Sequence, residues 1–192
     1  MDVIYLNSFR GTVVYRSVMQ RIAIDMDEVI ADAYHRFFEW YERDFNCRLD
    51  PDLCRGKYLR DVVPADQRTH VMKYAHTDGF FKDLPVMPDS QEVIHALSKK
   101  YEIFIASAAM EFKTSLVHKL EWMNEHFPFI PWNNIVFCGS KSVINADYLI
   151  DDHIRNFKGF EGQGILFTSP HNVHEAWSPR VNNWREVAAL LL

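Results

Sequence analysis

Residues 21–32, RIAIDMDEVIAD, constrain the fold more than any other stretch of the chain. The run around Ile22, Ala23 and Ile24 is nearly all apolar, as expected of a strand buried on both faces of a parallel sheet. It stops in two carboxylates, Asp25 and Asp27, and passes into a helical pattern. Because side chains alternate with period two, both acids face one small space if strand geometry persists. Like charges at close range raise a pKa or require a cation, and the C-terminal edge of an open α/β sheet is where ligands bind. A lone Asp-x-Asp also has a plainer reading, with one acid capping the next helix and the other solvated.

Further strands follow the same plan. YEIFIAS ends at Ser107, Ile135–Cys138 runs into Gly-Ser-Lys141, Asp147–Ile150 ends in Asp151-Asp152, and Gly164–Thr168 is a fifth. Helices alternate with them. Ala31–Phe45 carries an aromatic face of Tyr34, Phe37, Phe38, Tyr41 and Phe45, and Ala65–His76 is a second helical stretch. A third runs from Pro88-Asp89-Ser90 to Lys99. A fourth ends near Phe127, with Phe112, Leu116, Leu120, Met123 and Phe127 expected to pack on the sheet. Asn182–Leu191 is the last. The alternation predicts an α/β fold with a Rossmann-like parallel sheet, right-handed crossovers and helices on both faces. No buried strand is expected between Ala31 and Lys100, so residues 33–83 read as a small helical insert after the first strand, leaving 21–32 and 84–192 as the core. Residues 1–20 are expected to be a dispensable extension with Met19 as a candidate start. Alternatively, Val3–Leu6 or Thr12–Tyr15 adds an edge strand.

At 192 residues the chain is one domain, or one domain with an insert. A net charge of -5 argues against a nucleic-acid polymer or an anionic membrane as partner, and no apolar run approaches the roughly 18 residues of a membrane helix. Three cysteines, Cys47, Cys54 and Cys138, lack Cys-x-x-Cys spacing. They point to reduced thiols in a cytoplasmic protein rather than to a disulfide frame or a zinc site.

Four strand ends therefore offer Asp25 with Asp27, then Ser107, then Lys141, then Asp151 with Asp152, all on one edge of a parallel sheet. This order resembles the haloacid dehalogenase-like phosphohydrolases, whose signature is Asp-x-Asp, then Ser or Thr, then Lys, then an acidic pair. DMDEVIAD, GFFKDLPVMP, SKSVINADYLIDD, ILFTSPHNVH and VNNWREV narrow the similarity to the 5'(3')-deoxyribonucleotidase family, from about Arg21 to the C-terminus. In two places the chain departs from the pattern. Glu28 stands where the family often has Gly, and SAAM replaces Thr-Ser-Pro, so Ala108 brings no hydroxyl.

The resemblance implies a phosphomonoesterase acting on nucleoside monophosphates through an aspartyl phosphate. Asp25 is then the nucleophile and Asp27 the general acid and base. Mg2+ is held by Asp25, the Asp27 carbonyl and Asp152, with Asp151 assisting. Ser107 and Lys141 bind the phosphate. The insert becomes a cap whose Phe81, Phe80 and Tyr58 contact the nucleoside, with Gly56 and Lys57 beside them. Glu111 occupies a position that is often basic in the family, and His171 and His174 are read as structural. A homodimer is compatible with the resemblance. The alternatives are a same-fold phosphatase for another small phosphomonoester such as a sugar phosphate, a receiver-type signalling module, and a non-catalytic nucleotide binder.

Overall fold

The computed structural model describes residues 19–192, together with a short antiparallel pairing of Ser8–Phe9 with Thr12–Val13. The apolar runs become six parallel strands: β1 (Arg21–Ile24), β2 (Glu102–Ser107), β3 (Ile135–Phe137), β4 (Tyr148–Asp151), β5 (Gln163–Phe167) and β6 (Arg180–Val181). Their order is β3-β2-β1-β4-β5-β6, the doubly wound arrangement with β1 where the winding reverses. Ile22, Ala23 and Ile24 are fully buried, as a central strand requires. β6, only two residues long, was not expected from the sequence. Thr12–Val13 pairs with Ser8–Phe9 and not with this sheet, while Val3–Leu6 lies outside the described residues.

Period two divides the core. Ile22, Ile24, Ile105 and Ile150 face α4 (Ser90–Leu97), α5 (Ser115–His126) and α6 (Trp184–Leu191). Ala23, Ala106, Leu149 and Leu166 face Phe157 in a 3-10 turn and half-buried Trp177. Helices cover both faces, but the second receives only short turns because few residues separate β3, β4 and β5.

The expected inner face of α5 is corrected by the structure. Ser115, Lys119, Trp122 and Met123 are buried, whereas Leu120 is exposed. The helix starts at Ser115 and is turned so that Trp122 Nε1 donates to the Leu84 carbonyl at 2.8 Å and Lys119 points inward.

Between β1 and α4 lie α1 (Ala33–Phe45), α2 (Leu59–Val62) and α3 (Arg68–Met72). Asp32 caps α1, accepting from the His35 amide at 2.8 Å. The single helix expected over Ala65–His76 breaks after Met72 into a 3-10 turn, Tyr74–His76, which brings the Tyr74 hydroxyl 2.9 Å from the Asp44 carboxylate. Phe80 fills the centre of this insert, 4.6 Å from Phe37 and 5.3 Å from Trp40 between ring centroids. The chain enters and leaves side by side, with Asp32 N donating to Pro85 O at 2.9 Å and Met87 N to Ile30 O at 2.8 Å. Among the described residues, no helix is long and apolar enough to cross a membrane.

Candidate active site

The site grows from the end of β1. Asp25 N donates to Ile150 O at 2.9 Å, prolonging the ladder with β4, and the chain then winds tightly so that Met26 O accepts from the amides of Ile30 and Ala31, both at 2.9 Å. Glu28 sits inside this turn at φ +61, a left-handed conformation that explains why glycine suits the position. Its carboxylate accepts from the Tyr34 amide at 2.7 Å, and burial, followed by the charge of Asp32, raises its pKa well above the usual carboxylate value.

The two acids of the turn are neutralised separately. Asp25 Oδ1 lies 2.6 Å from Lys141 Nζ, which also reaches Asp151 Oδ2 at 2.5 Å. Asp27 Oδ2 lies 2.5 Å from Lys119 Nζ, which donates in turn to Ser107 Oγ at 3.1 Å. Burial alone would lower the pKa of Lys141, but Asp25 and Asp151 draw it well above the ordinary lysine value. Asp151 is fully buried and accepts from the His153 amide at 2.8 Å and from Asn156 Nδ2 at 2.9 and 3.0 Å. Burial and the nearby Asp25 nevertheless push its pKa up to about 6, against the pull of Lys141. Burial, then Asp25, Asp151 and Glu28, also raise the pKa of Asp152 well above the usual carboxylate value.

Carboxylate oxygens of Asp25, Asp151 and Asp152 lie within 4.8 Å of one another. Three hard oxygen donors this close together, two of them sharing one ammonium, suit a hard divalent cation. The structure brings Asp25, Asp151 and Asp152 together, and Asp27 contributes no carboxylate oxygen to this cluster.

A cavity of about 350 Å3 opens above the strand ends. Asp25, Asp27 and Asp152 line its floor, and Tyr34, Phe37, Phe80, Phe81, Phe112 and Tyr58 its walls. Ser107 and Lys141 are buried one side chain back, bound to Lys119 and to the acids. Of the three rings expected in the pocket, Phe80 and Phe81 show almost no surface, whereas Tyr58 is partly exposed. Ala108 and Glu111 also line the cavity.

His171 stands closer to the chemistry than expected. Its Nδ1 is 2.7 Å from Ser169 Oγ and 3.8 Å from Asp152 Oδ2, and its ring stacks on Tyr58 at 5.0 Å and 13°. Burial, then His153, lowers its pKa to about 3, so the ring is neutral. A carboxylate partner, absent from its neighbourhood in sequence, is supplied by the parallel return from β4 to β5. His174, by contrast, packs against Gly56, where an added Cβ would fall 2.3 Å from the imidazole.

Lys119 is the main functional residue that sequence reasoning missed. A lysine between Leu116 and Leu120 reads as surface. The only available signal is that it shares a face with Ser115, Trp122 and Met123 at helical spacing. Arg60 and Arg155, both lining the cavity, gave no signal either.

A doubly wound sheet, acids at its switch point and an inserted helical layer define the fold of the haloacid dehalogenase-like hydrolases. Solved structures agree. A haloacid dehalogenase-like family hydrolase from Streptococcus pneumoniae superposes with a TM-score of 0.58 at 14% identity, covering 91% of this chain and 99% of its own. YfnB of Bacillus subtilis, solved bound to magnesium, gives 0.55 at 12% identity over 90% and 98%. The chain itself belongs to the family described as 5' nucleotidase, deoxy (pyrimidine), cytosolic type C protein, whose model matches residues 16–192. It is 42% identical over 172 residues to the 5'(3')-deoxyribonucleotidase of Bacillus subtilis (strain 168), covering 89% of this chain and 98% of the relative, and equally so to that of Bacillus phage SPbeta. It is accordingly a phosphoric monoester hydrolase.

Proposed function

We propose that this chain removes phosphate from nucleoside monophosphates, deoxyribonucleotides foremost, by way of a phosphoaspartate on Asp25. The observation that carries the reading is the separate pairing of two neighbouring acids, Asp25 with Lys141 and Asp27 with Lys119, at the floor of an aromatic-walled cavity. An Asp25 oxygen attacks phosphorus as the bond to the sugar oxygen breaks, and that oxygen takes its proton from Asp27. Water then attacks the acyl phosphate while Asp27 recovers the proton, releasing inorganic phosphate and free Asp25. Lys141 holds Asp25 in place, while Ser107 and the amides beside it offer donors to the phosphate.

Asp25, Asp152 and the Asp27 carbonyl would hold Mg2+, with Asp151 fixing the lysine between them. When bound, the ion reduces the repulsion between a phosphate dianion and an attacking carboxylate. Residues 33–83 act as the cap, and the cavity suits one base and sugar among rings. The relatives named as deoxyribonucleotidases support the substrate class. Three free cysteines, Cys47, Cys54 and Cys138, fit a reducing, cytoplasmic setting.

A panel of deoxynucleotides, ribonucleotides and sugar phosphates, assayed for phosphate release with magnesium and with chelator, tests the proposal. Deoxynucleotides should lead and chelator should abolish release. Equal turnover of sugar phosphates would overturn the substrate class. Asp25→Asn should be folded and inactive, and turnover by that variant would overturn the mechanism.

A further inference from the structure

The acid and base role of Asp27 requires one of its oxygens to stay aimed at the scissile bond, and side chains near it divide its two oxygens sharply. Oδ2 is clamped by Lys119 at 2.5 Å. Oδ1 is buried and has no hydrogen-bond partner among the described residues, although Asp27 lines the cavity. Lys119 is itself fully buried and makes only a few contacts that an ammonium would seek: Asp27, the Ser107 hydroxyl at 3.1 Å and the face of Phe81, whose ring centroid is 4.5 Å from Nζ.

Phe81 belongs to the returning limb of the insert. That limb is strapped to α1 by Arg36, whose Nη1 donates to Gly79 O at 3.1 Å and whose Nη2 donates to Asp83 O at 3.1 Å. The ammonium therefore joins an acid of the core to a ring of the insert.

We infer that Lys119 is a positioning residue that fixes the Asp27 carboxyl by Oδ2, so that Oδ1 carries the proton, and that the Phe81 ring of the insert seats the lysine. The inference rests on the reading of Asp27 as general acid. In the step concerned, the Asp25–phosphorus bond forms and the phosphorus–sugar oxygen bond breaks. The electron pair stays on the sugar oxygen, which takes the proton from Asp27 Oδ1. A lysine that merely balanced charge would not need the ring, and one that merely bound phosphate would not need to engage Asp27.

Leaving-group dependence separates these roles. A nucleoside leaves as a poor alkoxide and needs the proton, whereas p-nitrophenolate leaves without one. With kcat/KM reporting the first chemical step, Lys119→Met should lower the value for a deoxynucleoside 5'-monophosphate at least tenfold more than that for p-nitrophenyl phosphate. Phe81→Leu, which keeps an apolar side chain but removes the π face, should show a smaller split in the same direction. The double variant should be no worse than Lys119→Met alone. Asp27→Asn sets the reference and should show the largest split. If Asp27→Asn splits the substrates and Lys119→Met lowers both equally, the positioning role is wrong while the acid assignment stands. If Asp27→Asn shows no split, the acid assignment falls and the inference with it. Should Lys119→Met not fold, Phe81→Leu carries the test alone, and an equal effect on both substrates overturns the inference.

Discussion

Replacing Lys141 by methionine tests the electrostatic frame of the site most directly. The ammonium lies 2.6 Å from Asp25 and 2.5 Å from Asp151, and its side chain and that of Asp151 are sealed from solvent. At an effective dielectric near 20, each contact is worth roughly 6 kcal/mol before the cost of desolvating the ions is subtracted. That cost removes most of the gain, but a variant that keeps the carboxylates and loses the cation forfeits the pairing and retains their burial. Lys141→Met should therefore be less stable by about 3–5 kcal/mol in chelator, which corresponds to a fall in Tm of about 6–20 °C for a chain of this size. Magnesium draws on the same carboxylates, so saturating magnesium should raise the Tm of the variant by more than it raises that of the wild type. Turnover should fall at least about a hundredfold even when the variant is saturated with magnesium. Differential scanning calorimetry with and without magnesium, beside a phosphate-release assay, gives all three quantities. An unchanged Tm in chelator, or equal stabilisation of both proteins by magnesium, would refute the claim that the lysine and a cation answer the same excess of negative charge.

Two other expectations concern positions away from the floor of the site. Asp44 binds Arg43 at 2.7 Å, His70 at 2.8 Å and the Tyr74 hydroxyl at 2.9 Å, and Arg43 first, then His70 and Tyr74, hold its carboxyl well below the usual range, together outweighing its partial desolvation. A depressed carboxylate stabilises the fold above its unfolded pKa, near 4, and loses that contribution as pH falls toward the folded value. Asp44→Asn should accordingly cost about 1 kcal/mol in urea unfolding at pH 7, and the difference from wild type should narrow at pH 3. A difference that widened at pH 3 would contradict the sign. Trp184 is fully buried and its Nε1 donates to Val29 O at 2.7 Å, two residues beyond Asp27. Trp184→Phe leaves that carbonyl unpaired and should cost about 1–3 kcal/mol while lowering kcat with little change in KM; a matching rise in KM would locate the effect in substrate binding instead.

How far the sequence discloses this arrangement depends on the range of each signal. Ile22 to Asp25 and Tyr148 to Asp152 are legible because a buried parallel strand is continuously apolar and an acid at its end breaks the run. Their convergence is legible because parallel strands share an edge. Lys119 is not legible, since the apolar residues around it favour a different face of α5, and only its tertiary partners Asp27 and Trp122's bond to Leu84 decide the rotation. The approach of His171 to Asp152 is hidden for the same reason: 19 residues separate them in the chain, and a sheet register brings them together. The break after Met72 depends on Tyr74 meeting Asp44 thirty residues earlier. In each case local pattern gives an element, and long-range pairing sets how it is turned.

The order of the strands carries the division of labour between the two acids. β1 lies between β2 and β4, so it receives side chains from two separate halves of the winding. From the β2 side comes Lys119, on the helix that follows the strand, which pairs with Asp27 and donates to Ser107 at the strand end. From the loop before β4 comes Lys141, which pairs with Asp25 and with Asp151 at the end of that strand. Each acid of a single Asp-x-Asp thus has its own lysine. A shared lysine would tie the placement of one acid to that of the other. Separate partners hold the two acids independently, as the proposed roles of Asp25 as attacking group and Asp27 as proton carrier require. A sheet that wound in only one direction from β1 would leave one of the two acids without a partner of its own.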